Sequence, residues 1–261
     1  MNNLKGDNTS RPHGIGERFQ EETKYDPETI TGHMLDWNNV PEPFKNYDAP
    51  IERIKLPDPV ATGNPNIWHA LQTRRSRRVY LPELPLKQSM LSVLLWATQG
   101  ITAEYGDTLL RTAPSAGGLY PVETYLHIRN VEDLGAGIYH FRPHIFDLEY
   151  LKQGDFGKRL SEAALGQSMV QIAQVTFIWS AILARSKWKY RERAYRYIYL
   201  DAGHIGQNLY LAGTALELGV CAIGAFYDNA VNAILELDGV KETVIYMATV
   251  GWPDRREFEI V

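Results

Sequence analysis

Thr112-Ala113-Pro114-Ser115-Ala116-Gly117-Gly118-Leu119-Tyr120-Pro121 sets two prolines around a run of small residues. Such a turn presents main chain rather than side chains. Gly117 and Gly118 tolerate positive φ and, lacking Cβ atoms, let a flat or anionic ligand approach the backbone closely. Ser115 adds a hydroxyl, and the alternating run Val122-Glu123-Thr124-Tyr125-Leu126-His127-Ile128 predicts a strand that fixes the turn to a sheet. Taken alone, the segment reads first as an ordinary Pro/Gly turn ahead of a strand.

Three further groups could carry chemistry. Arg74-Arg75-Ser76-Arg77-Arg78 is the densest positive charge in the chain. Planar guanidinium forks and a hydroxyl suit phosphate or a planar carbonyl edge, while a solvated basic face is the competing reading. Lys187-Trp188-Lys189-Tyr190-Arg191-Glu192-Arg193-Ala194-Tyr195-Arg196-Tyr197 mixes cations with aromatics. It suits stacking on a flavin-sized ring or packing at a subunit contact, and a cation beside Tyr190 would favour its phenolate and make it a base. In Asp201-Ala202-Gly203-His204-Ile205-Gly206-Gln207-Asn208, the polar side chains His204, Gln207 and Asn208 face either a ligand or neighbouring backbone.

Other chemistries lack their patterns. The seven histidines and one cysteine show no metal-ligand spacing, so no metal is expected. Gly-x-Ser-x-Gly and the glycine-rich strand–helix fingerprint are absent, and Gly154-Asp155-Phe156-Gly157-Lys158-Arg159 has neither the spacing nor the hydroxyl of a phosphate-binding P-loop.

The elements that must position these groups follow from pattern. Residues 1–60, rich in Pro, Asn, Asp and Gly, predict an extended N-terminal arm with one short helix, anchored by Trp37, Phe44 and Tyr47. Residues 61–261 form the folded domain. Asn64-Pro65-Asn66 opens a helix over 67–73, and a second helix spans about 86–98. Strands are expected at 122–129, 137–142 and 145–151, the last two an antiparallel hairpin through Arg142-Pro143-His144, and a central strand at 175–183. A helix is expected over 155–173 and a long one over 193–218, whose Gly203, Gly206 and Gly213 would admit a second helix. Val220 to Gly224 is a strand, Asp228 caps a helix reaching Leu237, and 242–250 is the last strand. Helices interleave with antiparallel strands, so the fold class is α+β.

Composition sets outer limits. At 261 residues and 44% hydrophobic, the chain can bury a large core. A net charge of −4 argues against general nucleic-acid binding. Cys221 lies in an apolar run as a buried thiol; the N-terminus lacks an apolar signal segment, making cytoplasm the default. Residues 209–226 are the nearest to a membrane span, but Glu217, Gly213, Gly219 and Gly224 interrupt them, so no membrane is expected.

Together, Arg74-Arg75-Ser76-Arg77-Arg78-Val79-Tyr80, the turn from Ala113 to Pro121, Gly219-Val220-Cys221-Ala222-Ile223-Gly224-Ala225 and Val250-Gly251-Trp252-Pro253 resemble the FMN-dependent nitroreductase superfamily. Pro114 to Pro121 and Tyr197-x-x-Leu200-Asp201-Ala202-Gly203-His204-x-x-Gln207-Asn208-Leu209 are similar to its SagB-type dehydrogenase branch, which includes the azoline oxidases of modified-peptide biosynthesis. The resemblance implies a three-layer fold, a mostly antiparallel sheet flanked by helices, and an entwined homodimer with FMN at the subunit interface. It implies that Arg74 and Ser76 hold the phosphate, with Arg75 adding main chain or charge and Arg78 near the pyrimidine edge. Pro114, Ser115, Ala116, Gly117 and Gly118 would reach the FMN from the partner, Ile223, Gly224 and Ala225 would lie near flavin N5, and Arg255 or Arg256 would complete the phosphate site. Lys189 and Tyr190 match a pair that assists proton removal. Where many nitroreductases carry Asn and an acidic residue, this chain has Gly118 and Gly224. The arm is expected to wrap the partner in place of a C-terminal extension. The implied reaction is hydride transfer between FMN and a substrate, with an azoline peptide first and a cyclodehydratase as partner. The alternatives are NAD(P)H-dependent reduction of nitro compounds or quinones, and a flavin-binding subunit without activity of its own.

Overall fold

A computed structural model describes residues 14–25, 32–59, 66–106, 108–254 and 256. In chain order they form α1 (Ile15–Glu22), β1 (Glu52–Lys55), α2 (Ile67–Thr73), α3 (Gln88–Gln99), β2 (Ile101–Tyr105), β3 (Thr108–Arg111), β4 (Val122–Ile128), β5 (Gly137–Arg142), β6 (Asp147–Gln153), α4 (Gly157–Ala163), α5 (Met169–Ile172), β7 (Val175–Ile182), α6 (Leu183–Tyr190), α7 (Ala194–Ala215), β8 (Gly219–Ile223), α8 (Asp228–Leu235) and β9 (Glu242–Gly251). Among the described residues, seven strands make one sheet in the order β1-β6-β5-β4-β7-β9-β8, every pair antiparallel, and β2–β3 form a separate ribbon.

Alternation along the strands builds the layers. Leu126, Ile128, Phe177, Trp179, Ala248 and Val250 pack with Leu91, Leu94 and Leu95 of α3 and Ile205 and Leu209 of α7. Tyr125, Ile178 and Met247 point the other way, onto Leu160 of α4, Met169 of α5 and Val231, Ile234 and Leu235 of α8. The period-2 pattern thus buries both faces of the central strands between two helical layers, the α+β arrangement expected.

Several elements differ from the sequence reading, each for a local reason. The helix expected over 155–173 is two short ones. Leu165 and Gly166 take positive φ, and the Gly166 N–H closes back on the Ser161 carbonyl at 2.9 Å, ending α4 in a Schellman-type turn. Asp228 is the first residue of α8, not its cap; that place falls to Tyr227, and the carboxylate sits in the first turn. Asn66 does cap α2, accepting from His69 N at 2.9 Å. Within the span read as an extended arm, β1 joins the sheet edge beside β6, and a single 3-10 turn forms at Trp37–Asn39. The described arm segments pack against the body of the chain through pairs such as Lys45–Glu242 and Trp37–Trp188.

The glycines of α7 admit strands, not a second helix. A Cβ on Gly206 would lie 2.8 Å from the ring of Tyr246 on β9, one on Gly213 would collide with Val220 on β8, and Gly203 faces open space. Overpacking of this kind costs about 1–3 kcal/mol. Gly213→Ala should therefore lower the unfolding free energy by that amount in urea titrations. Adding Val220→Ala should recover part of the loss; if the two losses simply add, the close contact is not what Gly213 provides.

Candidate active site

The turn is held from behind by α7. Ser115 Oγ donates to Asp201 Oδ2 at 2.6 Å, the Ala116 N–H donates to Oδ1 at 3.2 Å, and the Tyr120 N–H donates to Ser115 Oγ at 2.9 Å. Burial pushes the Asp201 carboxyl up, against the Ser115 and Ala116 hydrogen bonds. The cavity behind the turn is about 10 Å³, room for one water at most. Gly117 and Gly118 adopt φ of 66° and 68°, as a left-handed turn requires.

Lys189 and Tyr190, seventy residues on, stand against this turn. A Cβ on Gly117 would lie 2.5 Å from Tyr190 Oη and 3.0 Å from Lys189 Nζ. Glycine is what lets the pair approach. The expectation that a cation makes Tyr190 a phenolate is corrected here: burial pushes the phenol above its ordinary value, and Tyr197 and Asp201 push it the same way. Lys189 Nζ stands 5.6 Å from the centre of the Tyr190 ring, a cation–π arrangement rather than a charge pairing with the oxygen. Tyr197, 4.7 Å away edge to face, is the phenol brought below its ordinary value: burial opposes this, but Arg193 donates to it at 3.1 Å and wins.

The arginine segment gathers elsewhere on α7. Ser76 Oγ lies 2.9 Å from Tyr210 Oη, which accepts the Ala222 N–H at 2.8 Å, and the Arg74 guanidinium stands 5.2 Å over the Tyr210 ring. The strand-like link is the Arg77 N–H to the Val220 carbonyl, 2.9 Å. Arg75 turns away, donating to the carbonyls of Gln72 and Arg74 at the C-terminus of α2, where a cation is favoured. Arg78 is exposed, its Nη1 3.4 Å from the Ser76 carbonyl. Ile223 is buried in the sheet, whereas Gly224 and Ala225 are exposed and a Cβ on Gly224 would meet nothing within 4 Å. Arg255 lies outside the described residues, and Arg256 pairs with Asp254 at 2.6 Å. Asn208 donates to the Ala97 carbonyl, joining α7 to α3, while His204 and Gln207 are exposed.

One chain therefore assembles two groups, Pro114–Gly118 with Lys189, Tyr190 and Asp201, and Arg74, Ser76 and Tyr210 with the end of β8. It does not bring them to each other. Tyr210 follows Asp201 by nine residues in α7, which at helical geometry is about 13 Å along the axis and about half a turn around it.

A third group had no local sequence signal. His140 Nδ1 faces Glu149 Oε2 and Nε2 faces Glu123 Oε2, both at 2.9 Å, and all three side chains are buried. Burial disfavours the charged imidazole, yet two carboxylates raise its pKa above the ordinary value. Arg185 Nη1 meets the other oxygen of Glu123 at 2.5 Å. Burial would raise the Glu123 carboxyl, but His140 and then Arg185 bring it down to about 2. The arm closes this network: the Tyr47 N–H donates to both oxygens of Glu149, and Lys45 reaches Glu242 and Tyr125, each at 2.5 Å. Among the described residues no cluster of His, Cys, Asp or Glu is arranged to hold a metal ion, and no helix is long and apolar enough to cross a membrane.

An antiparallel sheet between two helical layers, with an arginine segment joined to its edge strand β8, defines a nitroreductase-type fold. The nitroreductase family model matches residues 71–252, and the chain belongs to that family. It is 36% identical over 201 residues to MJ1384 of Methanocaldococcus jannaschii, a nitroreductase by name, covering 77% of this chain and 92% of that one. It is 31% identical over 146 residues to the trifolitoxin-processing protein TfxB of Rhizobium leguminosarum bv. trifolii, covering 54% of this chain but 39% of TfxB. A crystal structure of a nitroreductase-like protein from Anabaena variabilis superposes with a TM-score of 0.75 at 34% identity, covering 90% of this chain and 46% of that chain.

The carboxyl of Glu123 sits lower in the folded protein than its ordinary value of 4.5. The stability it contributes is present above that value and is lost as pH falls toward about 2. A shift of that size corresponds to on the order of 3 kcal/mol. Glu123→Gln should thus weaken the fold by about that much at pH 7, and the gap to wild type should narrow by pH 3 in urea unfolding. An equal gap at both pH values would contradict the assignment.

Proposed function

We propose that the chain is an FMN-dependent oxidoreductase of the SagB type, moving hydride between a substrate and flavin N5, with oxidation of a peptide azoline ring to the azole as the first substrate class. The observation that carries this is the grouping of the Arg74 guanidinium, the Ser76 hydroxyl and the Tyr210 phenol two residues before the open main chain at Gly224. A fork and a hydroxyl suit a phosphate, and the empty space at the Gly224 Cβ position suits a flat ring against backbone. Arg74 and Ser76 would hold the phosphate, Arg78 would lie toward the pyrimidine edge, and Ile223 to Ala225 would offer main chain to the ring. Arg75, engaged in capping α2, would contribute charge alone, with Arg255 or Arg256 as further cation. When bound, FMN would supply the two-electron acceptor.

The half-turn between Asp201 and Tyr210 supports a second copy of the chain as supplier of the turn. Exposed Trp68, Leu71, Tyr199 and Leu200 give an apolar surface on α2 and α7 for that contact. The turn with Lys189 and Tyr190 would then come from one protomer and the arginine group from its partner. Aromatisation of an azoline removes one hydrogen with its bonding electrons and a second as a proton. Lys189 and Tyr190 would handle the second. Tyr190, whose phenol burial holds above its ordinary value, can hold a substrate heteroatom by donation, and would take the ring proton only as phenolate, after its own proton has passed to solvent. The similarity to TfxB, a trifolitoxin-processing protein, supports a peptide undergoing modification as substrate; a cyclodehydratase-type partner would make the azoline. MJ1384, matched over nearly its whole length, favours a second reading, NAD(P)H-dependent reduction of nitro compounds or quinones.

Stopped-flow absorbance decides among these. Bleaching of the flavin by NAD(P)H assigns the reductase, turnover of an azoline peptide without such bleaching assigns the dehydrogenase, and a flavin reduced by neither assigns a binding subunit of a larger assembly. Arg74→Ala with Ser76→Ala should weaken FMN binding by roughly 10²-fold or more, the loss expected for charge-assisted bonds, and should purify nearly colourless. Retention of stoichiometric flavin would remove the site assignment. If the Tyr190 phenolate is the form that takes the ring proton in the rate-limiting step, kcat should keep rising with pH to beyond about pH 10, the ordinary tyrosine value. Tyr190→Phe should flatten that profile and lower kcat by roughly 10²-fold or more.

A further inference from the structure

Arg185 sits in the first turn of α6, four and five residues ahead of Lys189 and Tyr190, and is 3% exposed. Its guanidinium serves three parts of the chain at once. Nε donates to the Glu42 carbonyl of the arm at 2.7 Å, and Nη1 lies 3.1 Å from the Tyr120 carbonyl and 2.5 Å from Glu123 Oε1. Tyr120 is the last residue of the turn before Pro121 and holds φ of 44°, a left-handed conformation unusual for a tyrosine. The Glu123 side has its own support, because His140 and Glu149 carry the ion pairing on to the Tyr47 N–H. On the outer face of α6, the Trp188 indole N–H donates to the Asp36 carbonyl at 2.9 Å and its ring meets Trp37 edge to face at 5.1 Å. One end of α6 is thus fixed to the exit of the turn, and the other carries the Tyr190 hydroxyl over Gly117.

We propose that Arg185 is a positioning residue that sets the distance between the turn and α6, and so places Lys189 and Tyr190 over Gly117. The inference rests on reading that pair as the proton-handling groups of the site. A lysine keeps the charge but has no planar fork to serve carbonyls of the arm and the turn together with a carboxylate. The full-length protein, with bound flavin quantified, would be treated with acetic anhydride under native conditions, and acylation of Lys189 followed by peptide mass spectrometry against wild type. Arg185→Lys should raise the Lys189 rate severalfold, with far-UV circular dichroism unchanged. Glu123→Gln, which leaves Arg185 its two carbonyl partners, should keep that rate within about twofold of wild type, since a local opening reports the contacts that hold that segment. In turnover, Arg185→Lys should lower kcat by roughly 10²-fold with little change in KM, the effect of an ångström-scale misplacement.

An unchanged Lys189 rate in Arg185→Lys overturns the proposal. So does an equal rise in Glu123→Gln, which would make the effect general loosening of the ion network, and so does an Arg185→Lys protein that fails to fold. A wild-type protein that binds no flavin would remove the functional reading while leaving the acylation test of positioning intact.

Discussion

Two buried carboxylates share one histidine, and much else is arranged around that fact. Both ring nitrogens of His140 face an acid, so the imidazole must carry its positive charge to donate to both at once. Even then Glu123 and Glu149 exceed it by one unit of negative charge in a region closed to water. Arg185 supplies the compensation on one side, and the arm's Tyr47 amide with neighbouring Arg142 supplies it on the other. A buried ion network of this kind is not an efficient source of stability, because desolvation offsets most of the attraction. It is effective at fixing relative position, since each member is held by two or more directional bonds.

That requirement ties an unlikely piece of chain to the site. Residues 36–47 form little regular structure, yet the Glu42 carbonyl, the Tyr47 amide and the Lys45 side chain are partners that the buried charges need. The route from arm to turn runs through side chains rather than through secondary structure: Tyr47, Glu149, His140, Glu123, Arg185, Tyr120. Arg111, packed over the rings of Tyr120 and Phe44, is brought down to about 10 by the same burial and stays cationic.

The sequence made much of the fold legible. Strands β4, β5, β7 and β9 lie within a residue or two of where alternation and apolar runs put them, because burial on both faces leaves a clear pattern. What escaped was governed by contacts distant in the chain. β1 has the local composition of a loop and becomes a strand only because β6 offers it an edge; β2 and β3 form a ribbon at the end of α3 that no apolar run announced. At the candidate site, turn, arginine segment and Lys189–Tyr190 were visible as residue types at a spacing. Asp201, which holds the turn, was passed over for its polar neighbours, and Tyr210 was invisible, since a tyrosine in a long helix looks like packing. Glu123 is one polar position of an alternating strand run, and nothing in the local sequence marks His140 as its partner. The error over the Tyr190 phenolate has the same origin: adjacency in sequence suggested the lysine's charge, whereas burial and the neighbours Tyr197 and Asp201 set the proton's affinity.

The spacing of Asp201 and Tyr210 on α7 has a genetic consequence. If each complete site draws its turn from one chain and its arginine group from the other, a chain defective in the turn and a chain defective at Arg74 and Ser76 are not equally dead together. Their mixed dimer contains one site in which both lesions coincide and one in which neither is present. Two inactive alleles would then complement, restoring about half the activity per mixed dimer, a behaviour closed to any protein whose single chain encloses its whole site.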